Sequence, residues 1–172
     1  MRTLAIRQLL IEIAALDVGA LESSRNRGLA IKKFWPATNY QEGYQARAPY
    51  CAAACCYWLR EWLRLPAVAA AYGKTPAELD GWRCQSAAAF SWLGWAKQRN
   101  LRILTNSYDE ILHTGDIMVF DMSHIGIVVD DSGAMVSLIE ANTGPCGGRD
   151  GEGIFRKVRN RAMARGFIRL LA

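Results

Sequence analysis

Several features that would identify a function at sight are missing from this sequence. It has no Cys-x-x-Cys pair and only two histidines, and its five cysteines are an odd number that cannot all pair within the chain. Disulfide frameworks and zinc sites both use regularly spaced ligands. We therefore expect reduced thiols and no zinc site.

Long apolar stretches are also missing. No segment approaches the length of a membrane-spanning helix. The apolar run from Leu4 to Leu16 is interrupted by Arg7, Gln8 and Glu12, which excludes it as the core of a signal peptide. We expect a protein made in the cytoplasm without a signal peptide, which needs a release or delivery route to act outside.

The overall composition is that of a folded domain. About half of the 172 residues are hydrophobic and 22% are charged, which predicts a single domain over residues 1–172 with a sizeable core. The net charge of +5 favours anionic partners such as cell-wall polymers, nucleic acid or acidic lipid. The densest basic stretch, residues 156–161, has no aromatic residue to stack on bases, so we interpret it as a solvated face and do not expect nucleic-acid binding.

The order of the predicted elements indicates the fold class. Apolar residues at helical spacing predict three helices, near residues 6–16, 51–65 and 86–99. Short β-type runs follow, at residues 117–120, 125–129, 135–139 and 167–171. Helices followed by strands predict an α+β fold, with N-terminal helices packed on a C-terminal antiparallel sheet.

Cys51 differs from the other cysteines because it stands at a predicted helix start, directly after Pro49 and Tyr50. The unpaired N–H groups at a helix start stabilise an anion, and the thiolate is the nucleophilic form of cysteine. Cys55 and Cys56 fall inside the same helix, and we interpret them as packing residues. The sequence therefore predicts Cys51 as the candidate nucleophile.

His124 opens the first of two strands that the sequence predicts to form a hairpin. Residues 130–134, Asp-Asp-Ser-Gly-Ala, are typical of its turn. If Asp130 pairs with Ala134, His124 lies opposite Glu140, with Cβ atoms about 5 Å apart, and Asn142 follows on the same face. A one-residue slip would put His124 and Glu140 on opposite faces, so this register is a sharp prediction.

These residue types form a known chemical set. A thiol nucleophile needs a base, and the base needs an acceptor for its second ring nitrogen. We predict His124 as the general base and Glu140 or Asn142 as the residue that orients its imidazole. The backbone N–H of Cys51 is expected to join an oxyanion hole.

The motifs around these residues resemble those of CHAP domains, the cysteine- and histidine-dependent amidohydrolases and peptidases, which are related to NlpC-type cell-wall peptidases. Pro49-Tyr50-Cys51-Ala52 is similar to their Pro-Trp-Cys-Ala helix start, with tyrosine in place of tryptophan. Gly115-Asp116-Ile117 and His124-Ile125-Gly126-Ile127-Val128 resemble their Gly-Asp-Ile and His-x-Gly-x-Val strands. Ile139-Glu140-Ala141-Asn142 resembles their Glu-Gly-Asn segment, with alanine in place of glycine.

The resemblance implies a papain-like fold and hydrolysis of amide bonds in peptidoglycan, either as an N-acetylmuramoyl-L-alanine amidase or as an endopeptidase. It implies Cys51, His124, Glu140 and Asn142 as the catalytic residues, without a cofactor. An endolysin or a toxin effector would act on the cell wall after release or delivery, the latter with a possible immunity or delivery partner. A non-catalytic wall-binding or structural protein of the same fold, and another papain-like acyl transferase, are the alternatives.

Overall fold

The computed structural model describes residues 2–146 and 151–171 and contains helices and one antiparallel sheet. In this part of the chain the α-helices are α1 Arg2–Ala15, α2 Leu29–Lys32, α3 Cys51–Leu63, α4 Pro66–Tyr72, α5 Pro76–Trp82 and α6 Ser91–Gln98. The strands are β1 Arg102–Leu104, β2 Ile117–Phe120, β3 Ile125–Ser132, β4 Met135–Thr143, β5 Gly153–Asn160 and β6 Ala164–Arg169. The α+β prediction is confirmed.

Two helix boundaries differ from the sequence prediction. Pro66 does not merely end α3 but opens α4, because proline is well suited to the first turn of a helix. The helix predicted near residues 86–99 begins only at Ser91. The carbonyl of Ser86 accepts hydrogen bonds from the Trp92 indole, at 3.1 Å, and from the Cys56 thiol, at 3.5 Å. That carbonyl is engaged by side chains, and residues 87–90 form bends and a turn instead.

The sheet has the strand order β1-β6-β2-β3-β4-β5, and all described pairs are antiparallel. The sequence pattern missed β1, which has only three residues, and β5, which carries the basic residues Arg156, Lys157 and Arg159. Strand β5 lies at one edge of the sheet, where exposed charged side chains are accommodated on the open face.

The two faces of the sheet belong to different cores. All six described α-helices contribute to the larger core, which includes Ile127 and Ile139 of the central strands. The opposite face carries a smaller core drawn from strands and the loop residue Leu112, with Phe120, Val128 and Leu138 fully buried. His124, Gly126 and Glu140 have the same strand parity as Val128 and Leu138, so they lie on this second face.

The hairpin between β3 and β4 keeps the predicted face but not the predicted register. Ser132 pairs with Met135 across the two-residue loop Gly133-Ala134, so the turn is shorter than expected. Gly126, rather than His124, is the direct partner of Glu140. The prediction that His124 pairs with Glu140 is therefore wrong by two residues, a shift that leaves both side chains on one face.

A bulge is the reason why the shorter turn does not separate these side chains. The register shifts by one residue between Val128 and Asp130, so Val129 is an extra residue in β3. Without it, the two-residue turn would place Ile127 opposite Glu140 and turn His124 to the other face. The bulge thus aligns the two ionisable groups.

No helix in residues 2–146 and 151–171 is both long enough and apolar enough to cross a membrane.

Candidate active site

Cys51 is the first residue of α3, as predicted. Tyr50 precedes it in a non-helical conformation and gives the helix no side-chain cap. The backbone N–H of Cys51 belongs to the first turn and has no acceptor within the helix. Helix α3 packs against β3 and β4, which brings its N-terminus to the ends of the strands that carry His124 and Glu140.

His124 lies immediately before β3 and is fully buried. Its Nε2 atom is 2.9 Å from Oε2 of Glu140, and the Phe120 ring packs on the imidazole at a centroid distance of 5.1 Å. Nδ1 forms no hydrogen bond to any residue that the structure describes. With Nε2 engaged by Glu140, Nδ1 is the ring atom left for the adjoining Cys51 thiol.

The surroundings of His124 favour its protonated form. Burial alone lowers the pKa of the imidazole, but the Cys51 thiol and the Glu140 carboxylate outweigh it and raise the pKa to about 9. At neutral pH the imidazole is therefore a cation.

Glu140 lies between two cations. Arg159 of β5 donates to it through Nε at 2.8 Å to Oε1 and through Nη2 at 2.6 Å to Oε2. Burial alone would raise the pKa of Glu140, but the hydrogen bonds from Arg159 and His124 hold it below the ordinary value. The carboxylate stays charged and contacts Nε2 of His124, which is the contact expected of a group that orients the imidazole.

The prediction that residues 156–161 form a solvated basic face is wrong for two of the arginines. Arg159 and Arg161 are both buried, and Arg161 pairs with Asp131 at 3.3 Å and donates to the carbonyl of Glu110. Arg156 and Lys157 are more exposed than either of them. Alternation along the edge strand β5 turns Arg159 inward, whereas Arg161 lies in the short 3-10 helix that follows this strand. The charge run alone reveals neither placement.

Asn142 lies two residues beyond Glu140 and is almost fully buried. Its backbone has φ of +56°, a left-handed conformation that asparagine tolerates, and the register between β4 and β5 shifts at this point. The left-handed residue and the register shift redirect the end of β4 towards the cleft described next. The role predicted for Asn142 as an orienter of His124 stays a prediction, while Glu140 has the contact with Nε2, at 2.9 Å.

A cleft of about 460 Å³ opens at this site. The residues that line it are Cys51, Ser123 and Asn142, the segment Ser86–Ala89, and Asn39, Tyr40, Ala48 and Pro49. The lining side chains are small or uncharged, and the volume suits a short peptide segment rather than a large ligand. Cys51 lines the cleft, although the residue as a whole is only 4% exposed.

No known family model, curated protein or solved structure matches the chain. Its function has to be inferred from this geometry.

The remaining candidate groups lie outside the site. Cys55 and Cys56 are fully buried, and burial raises the pKa of both thiols well above the ordinary value, in agreement with packing roles. Burial also raises the pKa of Cys84, to about 11. Cys146 is exposed, and all five cysteines are free. Among the described residues, no three His, Cys, Asp or Glu side chains form a group that could hold a metal ion.

Sequence reasoning missed two residues of the site, Arg159 and Phe120. The Phe120 ring packs on the imidazole of His124, and the Arg159 guanidinium lies 5.9 Å from the centre of the Phe120 ring. The sequence gave a weak signal for Phe120: only four residues separate the end of β2 from the start of β3, so Phe120 and His124 had to lie near each other. Arg159 gave none, because its contact with Glu140 depends on the unpredicted strand β5.

Proposed function

We propose that the protein is a cysteine amidohydrolase or peptidase that hydrolyses amide bonds of peptidoglycan. The observation that carries the proposal is the ordered set Cys51, His124 and Glu140, with the nucleophile at a helix start and in an open cleft. A papain-like fold is part of the proposal. It is supported by a helix that starts at the nucleophile and packs on an antiparallel sheet that carries the base.

The reaction would proceed through an acyl-enzyme. The Cys51 thiolate attacks the carbonyl carbon of the amide, and the backbone N–H of Cys51 stabilises the developing oxyanion. The C–N bond breaks as the His124 imidazolium gives its proton to the leaving amine. His124, now neutral, takes a proton from water, the hydroxide attacks the thioester, and the carboxylic acid leaves as the thiolate and imidazolium are restored.

Glu140 has a supporting role in each step. Its contact with Nε2 keeps Nδ1 directed at the sulfur and stabilises the imidazolium that stores the proton. Because no charged side chain lines the cleft, we expect the acyl group of the substrate to carry no strong charge next to the scissile bond. The net charge of +5 supports attraction to an anionic wall polymer.

Digestion of purified peptidoglycan sacculi tests the proposal. Wild type should release soluble fragments, whose new termini, determined by mass spectrometry, distinguish an amidase from an endopeptidase, and Cys51→Ala should release none. If wild type fails to cut sacculi of several chemotypes, the hydrolase proposal is wrong, and a wall-binding role of the same fold becomes the better account.

A further inference from the structure

Arg159 forms the most closely fitted contact of the site, although nothing in the proposed reaction requires an arginine. Its guanidinium makes two parallel hydrogen bonds to Glu140, at 2.8 and 2.6 Å, and a third to Oγ1 of Thr143 at 3.1 Å. It is also 5.9 Å from the Phe120 ring that packs on His124. A bidentate arginine fixes a carboxylate in both distance and plane.

We propose that Arg159 is a positioning residue of the reaction, which fixes Glu140 against His124 and shares the Glu140 charge between the guanidinium and the imidazole. This inference rests on the proposed function of the site. It extends the proposed mechanism from three residues to four, in the order Cys51, His124, Glu140 and Arg159.

The shared charge has a chemical consequence. An unshared buried carboxylate beside His124 would hold the imidazole proton strongly, because loss of that proton would leave an unpaired buried anion. Arg159 compensates the anion after the proton has left. The imidazolium can then release its proton to the leaving amine without the full free-energy cost of leaving Glu140 as an unpaired buried anion.

The other ionisable groups around the pair do not replace Arg159. Cys51 and Cys55 of α3 lie near the His124–Glu140 pair: Cys51 acts on His124, and Glu140 acts on Cys55. Burial keeps the pKa of Cys55 well above the ordinary value, so this thiol is neutral. Among the charged groups whose effects on Glu140 the structure describes, the cations are His124 and Arg159.

The test is the pH profile of Cys51 alkylation by iodoacetamide, followed by mass spectrometry between about pH 5 and 10. It needs no substrate and compares wild type, Arg159→Met and Arg159→Lys. Removal of the cation in Arg159→Met should move the high-pH transition of the profile upwards by about one unit, because the last proton of the His124–Glu140 pair is held more tightly. Arg159→Lys keeps a charge but loses the two parallel bonds and should give a smaller shift.

Turnover of sacculi gives the second readout. Both Arg159 variants should lose at least about tenfold in turnover rate at saturating substrate, in the manner expected for impaired proton transfer. Arg156→Met and Arg156→Lys are matched controls, since Arg156 lies on the same strand and is exposed. They should behave like wild type in both assays.

Two outcomes overturn the inference. One is a folded Arg159→Met with the wild-type alkylation profile. The other is an Arg159→Lys variant that matches Arg156→Lys in both the pH profile of Cys51 alkylation and the turnover of sacculi. This second outcome decides the question if Arg159→Met does not fold. If the profile shifts but wild type cuts no sacculi, the role of Arg159 stands and the proposed substrate is wrong.

Discussion

At the residue scale, the state of Glu140 decides what the site can do. A fully buried carboxylate normally loses its charge, because burial disfavours ions. Here Arg159 and His124 both bind it, at 2.6 and 2.9 Å from the same oxygen, Oε2. The carboxylate therefore stays ionised, and its charge keeps the imidazole protonated beside Cys51 at neutral pH.

Replacement of Glu140 by glutamine tests this role. The amide keeps the shape of the side chain but removes the anion that holds the imidazolium and its orientation. We expect turnover to fall by about 10²-fold or more, and the enhanced alkylation of Cys51 at neutral pH to be lost. Steady-state digestion of sacculi and iodoacetamide labelling provide the measurements.

Glu42→Gln is the matched control for this change, since Glu42 is an exposed glutamate away from the cleft. It should leave both readouts at the wild-type level. A Glu140→Gln enzyme with unchanged turnover would show that the imidazole does not depend on this carboxylate.

At the element scale, the hairpin of β3 and β4 aligns the site through a bulge and a glycine. The extra residue Val129 corrects the register that the short turn at Gly133-Ala134 would otherwise impose. Gly126 then stands directly opposite Glu140. A Cβ atom at position 126 would lie 2.9 Å from Cγ of Glu140 and 3.1 Å from the carbonyl oxygen of Ile139.

Gly126→Ala should therefore disturb both stability and catalysis. The added methyl group must displace either the Glu140 side chain or the backbone of β4, at a cost of about 1–3 kcal/mol in the free energy of unfolding. Displacement of Glu140 should also lower turnover and Cys51 alkylation. Urea unfolding and labelling of the same preparation measure the two effects.

Gly94→Ala is the comparison for this variant. Gly94 lies within α6, and a Cβ atom there meets nothing within 4 Å. Alanine should stabilise the helix by about 0.5–1 kcal/mol and leave the site unaffected. A Gly126→Ala protein that is as stable and as active as Gly94→Ala would contradict the close approach at the hairpin.

The same hairpin shows what the sequence could and could not predict. Period-two alternation placed His124 and Glu140 on one face, and that prediction was correct because a shift of two residues conserves parity. For Asn142 the alternation does not hold, because its left-handed backbone and the register shift between Ala141 and Thr143 interrupt β4. The exact pairing was wrong because the turn closes between Ser132 and Met135 rather than between Asp130 and Ala134, and the bulge at Val129 reduces the resulting shift from three residues to two. Arg159 was missed for a related reason: it lies 19 residues from Glu140 in the chain, and only the pairing of β4 with β5 brings them together.

At the scale of the whole molecule, the coupling of His124 to its neighbours should appear in the pH dependence of stability. The pKa of His124 rises from an ordinary value of 6.5 to about 9 on folding. A raised pKa means that the folded state binds the proton more tightly than the unfolded chain. The resulting stabilisation is fully present below pH 6.5 and is lost as the pH rises to about 9.

We therefore expect the free energy of unfolding of wild type to fall by an amount on the order of 1–3 kcal/mol between about pH 6.5 and 9. His124→Gln has no titrating imidazole at this position and should show a flatter profile over the same range. Urea titrations at a series of pH values measure both curves. Parallel curves for the two proteins would contradict the raised pKa of His124.

The general architecture was more accessible to sequence reasoning than the site. Helical spacing located α1 and α3, and the later β-type runs located the four strands β2, β3, β4 and β6. Such patterns reflect which face of an element is buried. They do not predict that α3 packs across β3 and β4, and it is this packing that brings Cys51 close to His124.

The most direct test of the account is the rate at which Cys51 is alkylated relative to Cys146 in the same molecule. Cys146 is an exposed free thiol and serves as an internal reference, whereas Cys51 is almost fully buried. Limited iodoacetamide treatment at about pH 6.5, read by peptide mass spectrometry, gives both rates in one experiment. The account predicts faster labelling of Cys51 and loss of this preference in His124→Gln. Labelling of Cys51 that is slower than that of Cys146, and unchanged in His124→Gln, would contradict an activated thiolate at this site.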